Sequence, residues 1–181
     1  MRVEPIENKK DIEKLKRYFR NKGKIRDLTL ITLGLNTGFR IEDILKLRVK
    51  DVYKKREINI KESKTGKRIR KPINDSLKEI LDIYCKDKPT NEYLFKSQKG
   101  ENEAISTTQA YRIIKKASKA CRIKLNIGTH SMRKTHGLHI FKDKGIEVAQ
   151  RALNHANQID TLTYIGVVQK QADNAIMKLN L

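Results

Sequence analysis

Residues 25–36 constrain the fold more than any other stretch of this chain. From Ile25 to Asn36 the residues are apolar nearly all round, through Leu28, Leu30, Ile31, Leu33 and Leu35. A helix that is hydrophobic on every side must be enclosed by other elements, so the rest of the chain is expected to pack around it. Asn36-Thr37-Gly38 breaks the pattern, and a short third helix follows with Ile41, Ile44, Leu45 and Leu47. Upstream, Asn8 is a plausible N-cap for a helix over residues 8–22. Ile12, Leu15, Tyr18 and Phe19 form its apolar stripe, Lys14, Lys16, Arg17 and Arg20 surround that stripe, and Gly23 ends it.

The periodicity changes after Val49. Glu57-Ile58-Asn59-Ile60-Lys61 alternates as a strand, Lys64-Thr65-Gly66-Lys67 turns, and Arg68-Ile69-Arg70-Lys71-Pro72-Ile73 alternates again. The reading is a small hairpin with a third strand near residues 48–53. Helical patterns then resume. Asn74-Asp75-Ser76 caps a helix over residues 76–86, and Ser106-Thr107-Thr108 caps another carrying Ala110, Ile113, Ile114, Ala117 and Ala120. A further helix holds His130 and Arg133 and ends near Gly145, with two or three short helices beyond it. The expected fold class is mainly α with a small antiparallel β-sheet, an α+β arrangement in one domain.

Charge narrows the choice of partner. Forty-one Lys and Arg against 21 Asp and Glu leave a formal net charge of +20. Neutralising phosphates releases counterions, so such an excess favours nucleic acid. No apolar run approaches transmembrane length and no secretory signal opens the chain, which argues against a membrane. Cys85 and Cys121 form no Cys-x-x-Cys pair, so neither a zinc site nor a disulfide framework is expected. The cell interior is the default compartment, and the expected location is cytoplasmic, associated with the nucleoid.

Four groups of residues suit phosphate chemistry. His130 and Arg133, three apart on a helix, share a face, placing a proton-transfer group beside a guanidinium fork. Arg40 stands at the mouth of the third helix, with Asp43 one turn on to hold it; an ordinary Arg–Asp surface pair is the alternative. Lys64 sits at the hairpin tip, where it either touches a DNA backbone or protonates a departing oxygen. His155 and Tyr164 lie nine positions apart, about half a turn round a continuous helix. They can share a site only if the helix breaks, and Asn154 and Asn157 tolerate the left-handed backbone that breaks helices. A helix C-cap for His155 and a half-buried core position for Tyr164 are the alternatives. Lys67, Arg68 and Lys134 are read as DNA contacts, and His136 and His139 as structural.

Arg40 in Thr-Gly-Phe-Arg-Ile-Glu-Asp, Lys64 in Ser-Lys-Thr-Gly-Lys, His130 and Arg133 in Thr-His-Ser-Met-Arg-Lys-Thr, and His155 with Tyr164 in Leu-Asn-His…Thr-Tyr together resemble the tyrosine recombinase (phage integrase) catalytic domain. Order and spacing both agree, over about residues 8–180. The resemblance implies site-specific recombination of double-stranded DNA through a 3′-phosphotyrosyl intermediate, as in integration or excision of a mobile element. In it Tyr164 is the nucleophile, and Arg40 and Arg133 hold the non-bridging oxygens. Lys64 protonates the 5′ leaving oxygen, His130 assists proton transfer, His155 hydrogen-bonds the phosphate, and Asp43 supports Arg40. Such chemistry needs no metal, ATP or other cofactor. The chain is expected to be a monomer when free and a homo-tetramer on DNA.

This chain departs from the family pattern in places. Ser131 replaces the usual acidic residue after the first histidine, Met132 the usual leucine, and Asn154 the usual glycine. The expected organisation is a single domain over 1–181, with a catalytic core over about 8–166 and a tail helix over 167–181 carrying Val167, Val168, Ala172, Ala175, Ile176 and Leu179. The family's N-terminal core-binding domain is absent from this chain, so an excised catalytic fragment is the favoured expectation. The tail either packs on its own core or docks on a neighbouring protomer. Competing readings of the chain are a type IB topoisomerase-like activity and a non-catalytic DNA-binding protein.

Overall fold

The computed structural model describes residues 3–179, without the side chains of Lys170, Ala172 and Ala175. The tail-stripe expectations for Ala172 and Ala175 therefore lie outside the described residues. Among the described residues ten helices and one hairpin follow in the order α1 (Lys9–Asn21), α2 (Ile25–Thr37), α3 (Ile41–Leu45), α4 (Val49–Val52), β1 (Glu57–Lys61), β2 (Arg68–Pro72), α5 (Asp75–Cys85), α6 (Thr107–Ala120), α7 (Thr129–Lys144), α8 (Ile146–Leu153), α9 (Gln158–Ile165) and α10 (Val167–Met177). The expected fold class holds.

Helix α2 is the hub. Leu28, Thr29, Leu30, Ile31, Thr32, Leu33 and Gly34 are all buried, and α1, α5 and α7 pack against it. Thr29 and Thr37 fit this apolar surrounding because each hydroxyl donates to a carbonyl one turn back, Ile25 and Leu33 respectively. Asn8 caps α1 as the sequence predicts, Asn74 caps α5 and Ser106 caps α6, each side chain accepting from a backbone N–H in the first turn.

The third strand expected near residues 48–53 does not form. Asp51 accepts a hydrogen bond from the Arg48 N–H at 2.7 Å and Tyr53 N donates to Val49 O, closing a single helical turn, α4. The cap outweighs the β preference of Val49 and Val52, which are buried from that turn. Only Arg48 keeps a strand-like bridge, to Tyr93.

In the hairpin, Ile58 pairs with Lys71 and Ile60 with Ile69. Alternation puts these four residues on one face, so Lys71 shares the side of the buried Ile58 and is itself buried. This lysine is not among the candidate residues marked by the sequence motifs.

At the other end, Leu138, Leu153 and Ile165 form a second small core with Phe141, Tyr164 and Val167. Gly137 permits it: a Cβ there would stand 2.6 Å from Leu153 Cδ1. Beyond Val167 the tail leaves that core, with Val168, Ile176 and Met177 exposed. No helix among the described residues is long and apolar enough to cross a membrane.

Candidate active site

Five separate segments converge on one open cavity of about 700 Å³. Arg40, Lys64, His130, Arg133, His155 and Tyr164 all line it, together with Glu42, Lys67 and Asn154. Every residue expected to act in phosphate chemistry is thus brought together. Arg68 is exposed on the hairpin outside the cavity.

Arg133 is the best-fixed member. It is 2% exposed, and its guanidinium donates to Gly38 O at 2.6 Å and to Leu153 O. These carbonyls belong to the ends of α2 and α8, where the helix dipoles turn negative. The contact at Gly38 depends on glycine twice over. Its φ of 65° suits a residue without a side chain, and a Cβ would meet His136 Cδ2 at 2.4 Å. His130 lies one turn before Arg133, and burial, aided by the nearby Arg133 charge, pushes its pKa down.

Asp43 does not hold Arg40, contrary to the sequence expectation. Its Oδ1 accepts from Ser63 N at 2.8 Å and Ser63 Oγ at 2.6 Å, so it clips the hairpin to α3. Arg40 pairs instead with Glu62, a residue the sequence reading passed over. Burial pushes the Glu62 carboxyl up, but hydrogen bonds from Thr65 and Asn154 and the charges of Arg40 and Arg133 outweigh it and hold it below the usual range. Glu62 was legible only as the one acid in a basic turn.

The break between His155 and Tyr164 forms where Asn154 and Asn157 suggested. Asn154 ends α8 at φ 52° and ψ 42°, and Asn157 caps α9, accepting from Asp160 N at 2.8 Å. The His155 and Tyr164 rings then meet edge to face, 5.2 Å between centroids. Thr161 Oγ1 donates to Asn157 O and lies 3.1 Å from His155 Nδ1, so it is left to accept a hydrogen bond from Nδ1–H. That fixes the tautomer and leaves Nε2 as the ring's open nitrogen. Burial and the Arg133 charge lower His155 to about 4, so the ring is neutral at neutral pH. Tyr164 moves the other way. Burial pushes its phenol up, opposed by Arg133 and Arg40.

Lys134 requires a correction. It is 5% exposed, and its Nζ lies 5.4 Å from the Tyr164 ring centroid. That places it as a cation against the tyrosine face, away from the surface position a DNA-backbone contact needs. Lys71, also unforeseen, donates to Ala152 O at the end of α8, and burial brings its pKa down to about 8. His136 and His139 serve packing, their ring nitrogens meeting Leu35 O and Ile6 O. Ser131 Oγ accepts from Gly128 N and so caps α7. Among the described residues no group of three or more His, Cys, Asp or Glu is placed to hold a metal.

Helices packed on a buried α2 and carrying a small hairpin, with two arginines, two histidines, a lysine and a tyrosine on one cavity, define the class of tyrosine recombinase catalytic domains. The phage integrase family model matches residues 8–171, and this chain belongs to that family. It is 45% identical to the "Probable integrase/recombinase YoeC" of Bacillus subtilis, over 91% of this chain and 90% of that protein. It is 32% identical to a tyrosine recombinase of Pseudothermotoga lettingae, over 85% of this chain but 54% of that protein. Apart from YoeC, the chain spans about half the length of the curated relatives it matches. Among solved structures, XerA recombinase superposes with a TM-score of 0.74 at 20% identity, over all of this chain and 67% of that one. A lambda integrase tetramer bound to a Holliday junction gives 0.72 at 20% identity, over 91% of this chain and 48% of that one.

Proposed function

We propose that this chain cuts and rejoins double-stranded DNA through a 3′-phosphotyrosyl intermediate, in site-specific recombination that integrates or excises a mobile element. The observation that supports it is the convergence of Tyr164 with two arginines, two histidines and a lysine around one cavity. The Tyr164 oxygen attacks the scissile phosphorus, and the bond from phosphorus to the 5′ oxygen breaks. Arg40 and Arg133 bind the non-bridging oxygens and offset the charge that builds in the pentacoordinate transition state. Lys64 supplies the proton to the departing 5′ oxygen.

The phenol is neutral in the buried site and must lose its proton as it attacks. His130 lines the cavity and is shifted toward its neutral form, so it can accept that proton. His155 offers Nε2 to the phosphate. It donates there only when protonated, and the phosphate anion itself favours that form. Rejoining is the same path reversed, with a 5′-hydroxyl attacking the phosphotyrosine, so bond energy is stored without ATP.

Assembly on DNA as a tetramer is part of this reading. The lambda integrase tetramer bound to a Holliday junction shares the fold. The exposed Val168, Ile176 and Met177 of α10 give the tail an apolar surface for a neighbouring protomer. Lys67 and Arg68 on the hairpin approach the DNA backbone.

The test uses a nicked duplex selected from a random library by covalent capture with the wild-type chain. A covalent complex that disappears in Tyr164→Phe, with DNA binding retained, is expected. No capture from any library, or an adduct that persists in Tyr164→Phe, would overturn the assignment.

A further inference from the structure

We propose that Glu62 is the positioning residue of this site, holding Arg40, the hairpin tip and the turn before His155 in a single frame. The inference rests on the transesterification reading above and deepens it.

Glu62 is 1% exposed. Oε1 takes the Arg40 guanidinium, while Oε2 accepts from Thr65 Oγ1 at 2.7 Å and from Asn154 Nδ2 at 3.0 Å. Each partner is a site residue or its neighbour in sequence. Arg40 is itself in the cavity, Thr65 follows Lys64, and Asn154 precedes His155. Ninety-two positions separate Glu62 from Asn154, so one carboxylate joins segments that local structure cannot hold in register.

A buried carboxylate is costly unless its oxygens are bonded, and here both are. The guanidinium is a rigid planar fork, so anchoring Nη1 fixes the plane and turns the remaining donors toward the cavity. A second clip runs the opposite way between the same elements, from Asp43 on α3 to Ser63 beside Glu62. The carboxylate behind Arg40 is therefore Glu62, and Asp43 serves the hairpin.

Asn154 is the partner whose backbone and side chain make opposite demands. Its backbone is left-handed, which glycine adopts at less cost than asparagine. Only a side chain, however, can donate to Glu62. Asn154→Gly eases the backbone and removes that hydrogen bond, so it separates positioning from folding.

The experiment measures the single-turnover rate of covalent complex formation at saturating captured duplex, DNA affinity, and melting temperature. The chains compared are wild type, Glu62→Gln, Asn154→Gly and the double variant. Positioning predicts a fall in rate of roughly tenfold or more in each single variant. DNA affinity should stay within about twofold. The double variant should be little slower than Glu62→Gln alone, because the two residues share one hydrogen bond. Wild-type rates in Asn154→Gly, or multiplied losses in the double variant, overturn the proposal. If Glu62→Gln fails to fold, Asn154→Gly decides alone. Should wild type form no adduct, the transesterification reading falls and takes this inference with it.

Discussion

His155 and Tyr164 face each other edge to face at 87° although they lie nine positions apart, because the left-handed Asn154 and the Asn157 cap redirect the chain between α8 and α9. Thr161 completes the arrangement by orienting the imidazole. Thr161→Val keeps the shape but removes two hydrogen bonds from a fully buried hydroxyl. Chemical denaturation should show a loss of about 1–2 kcal/mol. Cleavage should slow by roughly tenfold, since the ring can then adopt the other tautomer and rotate.

Arg133→Lys tests the fork. A single ammonium cannot serve both Gly38 O and Leu153 O from the same position, so one buried carbonyl loses its partner. Stability should fall by about 1–3 kcal/mol. Covalent complex formation should fall by about a thousandfold, the scale of losing a donor to a developing oxyanion.

Lys64→Ala tests the leaving-group proton. The residue is exposed and should contribute little to stability. Cleavage of an ordinary duplex should drop by about a hundredfold or more. A duplex with sulfur in place of the bridging 5′ oxygen should recover most of that rate, because a thiolate departs without a proton. Equal losses on both duplexes would assign Lys64 to phosphate binding instead.

Acid should weaken the fold before it weakens a typical basic protein. His136 is lowered to about 4 by burial, then by the Lys71 charge, and His155 to about 4 by burial, then by Arg133. Between pH 6.5 and about 4 the unfolded chain protonates both imidazoles while the folded chain does not. The unfolded state binds more protons there, so stability is full above 6.5 and declines as pH falls through that window. The slope reaches at most about 1.4 kcal/mol per pH unit for His136. Solvent screening makes it smaller for the half-buried His155. Melting curves at pH 7 and pH 5 should separate, and His136→Asn should narrow the gap.

The sequence exposed much of this fold because its strongest signals are local. The all-round apolar run of α2, the Asn8, Asn74 and Ser106 caps, and the Asn154 break each depend on a few neighbouring residues. The candidate site residues are visible as a spaced set, since two arginines, two histidines, a lysine and a tyrosine are all chemically distinctive. Pairings across long sequence separations were not. The sequence suggests Asp43 for Arg40 because one turn separates them, whereas the hairpin delivers Glu62 from 22 residues away. Residue type made Lys134 a surface contact, although it packs against Tyr164 in the fold. Lys71 could have been found by counting alternation from Ile69, which assigns it to the inner face of the hairpin.

The placement of Arg133 between two helix ends has a wider consequence. Among the described residues its hydrogen bonds go to backbone carbonyls and none to a carboxylate, and the nearby Glu62 is already bonded to Arg40, so part of the Arg133 charge stays open to an anion. Small anions then become rivals of the DNA phosphate for the same pocket. At matched ionic strength, sulfate and phosphate buffers should inhibit this chain more than chloride does, making the identity of the salt, as well as its concentration, part of how its activity is measured.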